Sequence, residues 1–520
     1  MTKLIAVLII FLAFSSCVSV RKYNEQIEKP HSVKQLQHDV DFLHHKLEKL
    51  HPDLYWYITK SELDRKFDSL KSDLREPLTS NAFFMRLSPV VASVRQGHLL
   101  LSPLTPKYEP KQTRSFKKYG TNPLARFEFE WMNNHLYVAR NYSSSQEIRP
   151  GTELISVDRV SPQTILDKYE KVAASDGYNQ TLFPRLKAKK FSSFYFLENG
   201  LADTVSCVMS YKDTLRTICL KRRPMTDRGP VAKKQKLTKT DLEAKNKLAR
   251  LKLIQGVDPL TGTFIRELSF LNDSSVALMK IKNFMDGRFS LFYRNSFKTI
   301  QKVHPEILIL DLRGNTGGRL TDAATLYSYL TNSDFVFIDR TKLISRTSLW
   351  HTNYFRGRPL VAQPFLLAFS PFRLLFMARD FLKVKKDSNS NFSFQLKEAK
   401  VRHPNPDHFG GKVYVLIDGG TFSASSILSS NLKASKRATF VGEETGGAFN
   451  GTVAGQMPFY RLPHSKLKFR FGLMTIRAPV HTEPDGYGIR PDVAITRGLP
   501  DLLEQNDPEI KWILENYLDL

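Results

Sequence analysis

The sequence predicts a multidomain protein of the α/β class. Three observations support this prediction: apolar residues at helical spacing through residues 31–93, short alternating strands over residues 121–222, and apolar strands that alternate with helices from about residue 262. With 520 residues the chain is too long for one hydrophobic core, so we expect two to four domains.

The N-terminus has the composition of a secretory signal. Lys3 precedes a short apolar run, and two serines stand directly before Cys17. This order resembles a bacterial lipoprotein signal, which implies removal of residues 1–16, lipidation of Cys17 and a tether over residues 17–30. The alternative is an ordinary signal peptide cut nearby. In both cases we expect export to the cell envelope, and lipidation would anchor the protein to a membrane on the periplasmic side.

The chain is strongly basic, with 77 Lys and Arg against 51 Asp and Glu and a net charge of +26. Such a charge suggests an anionic partner such as nucleic acid, a membrane surface or an acidic polymer. The basic residues are spread along the chain, with one denser run at 221–252, and no nucleic-acid motif accompanies them. We therefore expect no nucleic-acid partner. A soluble protein with a basic surface is the alternative.

Residues 31–105 are predicted to form a helical N-terminal domain. We expect helices over Val33–Leu50, Ser61–Leu74 and Asn81–Val94, where apolar residues recur three and four positions apart. The histidines of this region lack the His-x-x-x-His spacing plus an acid of a metal site, so we expect a solvated helix face and no metal. His98 differs, because it lies after the last helix, at a junction between loop and strand.

Residues 121–222 are predicted to form a β-rich module. A Pro-Gly turn at 150–151 leads into a strand over Glu153–Val157, and a second turn leads into a short helix over Pro162–Tyr169. This order resembles the peptide-binding core of a PDZ domain, which binds an extended peptide as an added strand. The alternative is a small β-sandwich without a ligand.

Cys207 and Cys219 fall in two strand-like runs of this module, Asp203–Tyr211 and Leu215–Lys221. A three-residue turn over 212–214 would place the two cysteines opposite each other, and an oxidising compartment would then permit a disulfide. A two-residue turn would put them out of register. Their spacing and the lack of a nearby histidine argue against a metal or catalytic role.

The C-terminal half follows a different pattern. Residues 223–260 are predicted to be a basic linker and a helix, residues 261–500 a largely parallel sheet covered by helices, and residues 501–520 a C-terminal helix. An insertion at about 335–405 interrupts this core with an aromatic, basic stretch that starts at Pro364. We expect either a lid that contacts a membrane or a partner, or a helical cover packed on the core.

Ser423 stands where a buried strand, Val413–Ile417, passes through a Gly-Gly turn into a helix, Ser423–Leu432. The N–H groups of a first helical turn have no intrahelical acceptor and can hold a developing oxyanion. Ser423 is therefore a candidate nucleophile. From this segment alone, a hydroxyl that only caps the helix is the simpler explanation.

Four motifs of the core favour the nucleophile over the helix cap. They are, in order, Asp311-Leu-Arg-Gly-Asn-Thr-Gly-Gly, Phe422-Ser-Ala-Ser-Ser-Ile, Val441-Gly-Glu-Glu-Thr-Gly-Gly and Gly488-Ile-Arg-Pro-Asp-Val. The first is not a phosphate loop, because it lacks Gly-Lys-Ser/Thr. Together they resemble the serine peptidase family of C-terminal processing (tail-specific) proteases and the tricorn core. The resemblance covers most of the mature chain and implies a ClpP/crotonase-like α/β catalytic core beside the helical region and the PDZ-like module.

The resemblance also assigns a branch within the family. Tail-specific proteases use a Ser–Lys dyad, but their lysine position falls on Ala448 here. His51-Pro-Asp-Leu-Tyr and Gly97-His98 match the branch that includes tricorn and the interphotoreceptor retinoid-binding repeats. That branch uses a serine, a histidine and an acid, which implies Ser423 as nucleophile and His98 as base.

The remaining site residues are also implied by the resemblance. The acid stands three residues before the glycine of the last motif, which is Asp485 here where the family has Glu, and Glu483 is the second choice. The oxyanion would be held by the Ala424 N–H and by an N–H from the Gly317-Gly318 turn.

We therefore predict an exported serine endopeptidase that acts on a peptide or protein by a Ser/His/acid mechanism, with no metal and no organic cofactor. An enzyme needs His98 Nε2 within hydrogen-bond reach of Ser423 Oγ. One alternative is a non-catalytic protein that binds peptide or lipid on the same scaffold, as the retinoid-binding repeats do. Another is a membrane-surface scaffold that uses the insertion and the basic charge.

Overall fold

The computed structural model describes residues 19–518, apart from 121, 144, 146, 223–238, 259–260, 352–369 and 387–390. The predicted signal peptide, the lipidation site Cys17 and the basic linker lie outside the described residues. Within the described part of the chain, no helix is both long enough and apolar enough to span a bilayer.

The N-terminal region is built from helices around a leucine-rich core. Its longest helix has the predicted bounds, Val33–Leu50, and begins with a capping box in which the Ser32 side chain accepts the Gln35 N–H. The apolar positions of this helix, from Leu36 to Leu50, are buried at helical spacing. The elements of this region are α1 (Val20–Glu28), α2 (Val33–Leu50), α3 (Lys60–Asp73), α4 (Ser80–Ala92), β1 (Leu100–Ser102) and α5 (Pro110–Tyr119).

The β-rich module is a five-stranded antiparallel sheet in the order β2-β3-β4-β5-β6. Its elements are β2 (Phe127–Met132), β3 (His135–Asn141), β4 (Glu153–Val157), α6 (Pro162–Lys168), α7 (Leu182–Asn199), β5 (Thr204–Tyr211) and β6 (Thr214–Lys221). Helix α7 covers one face of this sheet, where Phe191 packs edge-to-face on Phe129. The strand predicted over Glu153–Val157 has those bounds.

The hairpin that carries both cysteines differs from the expected pairing. Its turn has two residues, Lys212 and Asp213, both with positive φ, so Tyr211 pairs with Thr214. Such turns match the twist of the flanking strands. Cys207 therefore lies opposite Ile218, buried, whereas Cys219 is exposed on the other face of the sheet, and both are free thiols. The three-residue turn was the wrong choice.

The first half of the core alternates strands and helices. These elements are α8 (Lys239–Gln255), β7 (Arg266–Leu271), β8 (Val276–Ile281), α9 (Phe289–Val303), β9 (Ile307–Asp311) and α10 (Leu320–Ser328). Strands β8 and β9 are buried on both faces, as expected where helices cover both sides of a parallel sheet.

In its described part, the insertion contributes short strands and an α-helix. They are β10 (Phe335–Val336), β11 (Thr341–Leu343), α11 (Ser370–Lys383), β12 (Lys385–Lys386), β13 (Phe392–Phe394) and β14 (Val401–Arg402). The side chains of Leu374, Leu375 and Leu382 on α11 are exposed rather than packed on the core. The aromatic stretch that starts at Pro364 lies in part outside the described residues, so the two interpretations of the insertion stay predictions.

The chain then completes the core with β15 (Lys412–Ile417), α12 (Ala424–Ala434), β16 (Thr439–Gly442), β17 (Thr452–Ala454), β18 (Phe459–Arg461), β19 (Lys468–Arg470), β20 (Met474–Ile476), β21 (Val493–Ala494), α13 (Leu499–Glu504) and α14 (Pro508–Leu518). The main sheet has the order β21-β16-β15-β9-β8-β7. Its neighbouring strands are parallel except for the edge pair β7 and β8. This is the largely parallel sheet that the sequence predicts.

A small sheet ties the helical region to the core. Strand β1 pairs antiparallel with β19, which pairs with β18, and Leu100 lies opposite Arg470. Tyr460 and Phe469 of this hairpin are buried in the same hydrophobic cluster as the N-terminal helices. Because His98 directly precedes β1, this pairing fixes the histidine against the core.

Candidate active site

Ser423 lies at the corner between β15 and α12, in a backbone conformation with φ +58° and ψ −123° that residues other than glycine rarely adopt. This conformation resembles the sharp strand-to-helix turn that exposes a nucleophilic serine in other hydrolases. The Ser423 hydroxyl makes no capping bond to the helix. The simple capping role considered from the sequence is therefore wrong.

His98 meets this hydroxyl directly. Its Nε2 lies 3.1 Å from Ser423 Oγ, across 325 positions of sequence. The imidazole is 7 % exposed, and the Phe422 ring lies 5.0 Å away, centroid to centroid. Burial, with a smaller effect from Arg470, lowers the pKa of His98 to about 4. The ring is thus neutral at physiological pH, which a general base requires.

The other ring nitrogen of His98 is bonded to a threonine. His98 Nδ1 lies 3.0 Å from Thr452 Oγ1, on strand β17. Near this hydroxyl is the carboxyl of Asp176, which is buried in a loop of the β-rich module and accepts the Gly97 N–H at 2.8 Å. Burial raises the pKa of Asp176 to about 7, although bonds from Gly97 and from the Thr452 side chain oppose that rise.

The predicted acids are elsewhere. Asp485 Oδ2 accepts the Trp56 indole N–H at 2.7 Å, and its Oδ1 accepts the Gly486 N–H at 2.6 Å. Glu483 is exposed and accepts the Asp485 N–H. Neither carboxylate hydrogen-bonds His98 in the described part of the chain. The expected contact between His98 and Asp485, or Glu483 as the second choice, is therefore not formed. Thr452 Oγ1 occupies the position beside His98 Nδ1.

Neither Thr452 nor Asp176 was among the site residues predicted from the sequence. Asp176 precedes Gly177, which has a φ of +69°, so the pair has the composition of an ordinary turn. Thr452 lies in a short buried strand. Neither residue belongs to a recognisable motif, and only the folded chain brings them to His98.

The oxyanion side of the site is built from two glycine turns. Gly317 packs so closely on the nucleophile corner that a Cβ there would lie 2.7 Å from the Ser423 Cβ and 2.8 Å from the Ala424 N. The Gly317 N–H is donated to Asn315 Oδ1 at 2.9 Å, so this candidate is not a free donor. Among the described residues, the N–H groups of Ala424 and Gly318 have no acceptor. These two predicted donors are available to a ligand.

Among the described residues, two other groups of side chains have spacings that suit a metal ion, and neither includes Ser423 or His98. In the first, His38 Nδ1 lies 3.0 Å from His464 Nε2, but the neighbouring Asp39 carboxylate already accepts the N–H groups of residues 464 and 465. In the second group (His44, Glu48 and Asp64), the ammonium of Lys60 is paired with both carboxylates.

Comparison with known proteins gives the family of this site. The model of the family described as peptidase family S41 matches residues 275–495, which contain the parallel sheet, Ser423 and both glycine turns. No curated protein matches the chain.

Solved structures of CPAF resemble nearly the whole chain. Mature CPAF complexed with lactacystin has a TM-score of 0.58 at 14 % sequence identity, over 94 % of this chain and 97 % of that chain. Mature CPAF alone has a TM-score of 0.57 at 15 % identity, over 90 % and 94 %. An s499a mutant of CPAF has a TM-score of 0.58 at 16 % identity, over 92 % and 96 %. At such identities the likeness shows a shared fold. The family model over residues 275–495 shows that the α/β core is that of peptidase family S41, and the chain is a serine peptidase.

Proposed function

We propose that this peptidase is an exported endopeptidase in which His98 is the base for Ser423. The observation that carries the proposal is the 3.1 Å distance between His98 Nε2 and Ser423 Oγ. It lies within the range in which a neutral imidazole takes a hydroxyl proton. The strained backbone of Ser423 supports the same role, since such strain concentrates at functional positions.

The reaction follows from these groups. His98 Nε2 removes the hydroxyl proton as Ser423 Oγ attacks the carbonyl carbon of a peptide bond. The negative charge that forms on the carbonyl oxygen is stabilised by the N–H groups of Ala424 and Gly318. The imidazolium then returns its proton to the leaving amine, and water, activated by the same imidazole, hydrolyses the acyl-enzyme.

The lysine mechanism of other family members finds no support here. The residue at the position of that lysine is Ala448, which is buried. A Ser–His arrangement is the remaining way to activate the hydroxyl. This agrees with the branch that the motifs indicate.

The experiment is labelling with a fluorophosphonate probe, which reacts only with an activated serine. We expect the protein from residue 19 onward to be labelled, and Ser423→Ala and His98→Ala to reduce the labelling rate about 10⁴-fold or more. Lactacystin, which is bound in one CPAF structure, provides a second probe that should compete for the same serine. A folded wild-type protein that is never labelled would instead favour a non-catalytic binding protein.

We also propose that the protein is a lipoprotein of the cell envelope, anchored through Cys17 and facing the periplasm. Support comes from the N-terminal sequence, with Lys3, an apolar run and small residues before Cys17. Expression of the full chain with a radiolabelled fatty acid tests this proposal. We expect label in the wild type and none in Cys17→Ala, whereas label in both would exclude Cys17 as the attachment site.

A further inference from the structure

We propose that Asp176 and Thr452 set the tautomer of His98, so that Asp176 takes the orienting role that the family pattern assigns to Asp485. This inference rests on the proposed base role of His98. It concerns a residue of the β-rich module, which lies outside the matched family segment, and a threonine inside that segment.

The position of the proton on the imidazole decides which ring nitrogen can act as the base. To accept the Ser423 proton, Nε2 must carry a lone pair, so the proton of the neutral ring must be on Nδ1. The only partner of Nδ1 within the described residues is Thr452 Oγ1, at 3.0 Å. The threonine oxygen must therefore accept this bond. If Thr452 donated to Nδ1 instead, the ring proton would move to Nε2 and the base would be lost.

A hydroxyl that accepts from the histidine needs an acceptor for its own proton. The Thr452 side chain opposes part of the rise that burial causes in the Asp176 pKa, which places the hydroxyl close to the carboxylate. Its Oδ1 accepts the Gly97 N–H at 2.8 Å, whereas its Oδ2 is buried and has no hydrogen-bond partner among the described residues. A buried carboxylate oxygen without a partner is costly. The Thr452 proton would satisfy it.

The loop that carries Asp176 is held in place on both sides. The Gly177 N–H binds the Arg95 carbonyl at 2.9 Å, and the Tyr178 N–H binds the Gly486 carbonyl at 2.7 Å. The Asn179 amide donates to the Thr445 carbonyl at 2.6 Å. Asp176 is thereby fixed relative to the histidine and to the core. Completion of the site thus depends on docking of the β-rich module.

This arrangement gives a pH signature. Only ionised Asp176 accepts the Thr452 proton strongly, and its pKa lies at about 7. His98, with a pKa of about 4, stays neutral through this range. The ionisable side chains on the segments that surround Asp176 are Tyr57, Arg95, His98, Tyr178, Glu444, Arg470, Arg477 and Asp485. The labelling rate should therefore rise as pH increases through about 7.

The test is the second-order rate of fluorophosphonate labelling as a function of pH in five proteins. For Asp176→Asn we expect a loss of about 10²- to 10⁴-fold at pH 8 and no rise near pH 7, because an amide can donate to Thr452 and reverse the hydroxyl. Thr452→Val removes the hydroxyl, and its labelling rate should fall as much as that of Asp176→Asn. Thr452→Ser keeps the hydroxyl and should stay within about threefold of the wild type. The competing variant is Asp485→Asn, for which we expect a smaller loss than for Asp176→Asn and a retained rise near pH 7.

Each outcome has a definite meaning. Asp176→Asn that labels like the wild type, or Asp485→Asn that loses more activity than Asp176→Asn, would overturn the proposal. If Asp176→Asn does not fold, the Thr452→Val and Thr452→Ser pair decides, together with ¹⁵N NMR of His98. A proton on Nδ1 in the wild type and on Nε2 in Asp176→Asn would support the tautomer argument, and the same tautomer in both would refute it. Absence of labelling in the wild type refutes the proposed function itself.

Discussion

The two sides of the active site are built in different ways. The nucleophile side consists of two adjacent strand-to-helix turns of one sheet, between β9 and α10 and between β15 and α12. The histidine side is assembled from the loop after α4, a loop of the β-rich module and strand β17. Local sequence is therefore sufficient to form the nucleophile side, whereas the histidine side forms only when three distant segments have docked.

The two sides also treat buried carboxylates differently. On the nucleophile side, Asp322 of α10 accepts from Arg266 at 2.5 Å and from the Tyr293 hydroxyl at 2.6 Å, and the aspartate and the arginine are fully buried. On the histidine side, the equally buried Asp176 has no cationic partner among its hydrogen bonds. A paired buried carboxylate holds a structure together, while an unpaired one reduces stability above its pKa.

The largest predicted effects test this contrast. Asp322→Asn leaves Arg266 as a buried charge without a counter-ion, so we expect a loss of about 3–5 kcal/mol in the free energy of unfolding. Asp176→Asn should instead increase the free energy of unfolding at pH 8. The folded-state pKa of Asp176 is raised from 3.8 to about 7, so the wild type loses up to ~4 kcal/mol of stability as the pH rises from 3.8 to above 7, and the amide variant does not.

Urea unfolding of both variants and of the wild type at pH 5 and pH 8 measures these changes. The stabilisation by Asp176→Asn should be largest at pH 8 and about 2–3 kcal/mol smaller at pH 5, where the wild-type carboxyl is largely protonated in the folded protein. Destabilisation by Asp176→Asn at pH 8 would mean that the bonds from Gly97 and Thr452 outweigh the cost of burying the charged carboxylate, and the contrast between the two sides would then disappear.

The second prediction concerns the oxyanion side. In Gly317→Ala, the new Cβ would lie 2.7 Å from the Phe422 carbonyl oxygen and 2.8 Å from the Ala424 N, so it would cover a proposed oxyanion donor. We expect the rate of fluorophosphonate labelling to fall about 10²- to 10³-fold, the usual effect of losing one such donor.

Gly314→Ala is the matched control for this change. Gly314 also has a positive φ, +69°, but open space surrounds the position of its Cβ. Both variants share the left-handed backbone cost of about 1–2 kcal/mol, and only Gly317→Ala obstructs the site. Equal losses of labelling in the two variants would show that backbone strain, and not access to the Ala424 N–H, explains the effect.

The sequence predicted the nucleophile side because its signals are local. The helix over Val33–Leu50, the strands of the parallel sheet and the corner at Ser423 each follow from a run of apolar residues bounded by a turn or a cap. The pairing of His98 with Ser423 is non-local, and there only the resemblance to a family supplied the partner. Both residues lie in matching motifs, and their side chains lie 3.1 Å apart.

The acid could not be predicted in the same way. The bond from Gly97 to Asp176 spans 79 positions, and no local pattern distinguishes this aspartate from one in any Asp-Gly turn. The family pattern led to Asp485, which instead binds Trp56. The turn at residues 212–213 failed for another reason. A change of one residue in turn length reverses which side chains face each other, and composition does not decide that length.

The third prediction concerns pH and stability. His51 and His98 are both buried, and burial lowers the pKa of each to about 4. Because the folded-state pKa lies below the unfolded value of 6.5, their stabilising contribution is complete above pH 6.5 and is lost as the pH falls toward 4. Each histidine should lower the free energy of unfolding by about 2 kcal/mol as the pH falls from 7 to 5.

His51→Gln separates the two histidines, since His51 lies in the helical region and has no hydrogen bond to its ring among the described residues. The variant should lose about 2 kcal/mol less unfolding free energy than the wild type between pH 7 and pH 5, measured by urea titration at each pH. An unchanged pH dependence would show that His51 is already protonated, or is equally solvated, in the folded state.

The smallest predicted effect is on thiol reactivity. In a folded variant truncated to begin at residue 19, which lacks Cys17, Cys219 should react with iodoacetamide and Cys207 should not, because Cys219 is exposed while burial raises the pKa of Cys207 to about 12. Cys219→Ser should abolish the labelling, and Cys207→Ser should leave it intact. Formation of an intramolecular disulfide under mild oxidation would contradict the observed hairpin. With Cys207 opposite Ile218, the two thiols lie on opposite faces of the sheet, and joining them would require β6 to slip by one residue. That slip would turn Leu220, the one buried side chain of β6, outward, so the register that protects the core also keeps these cysteines apart.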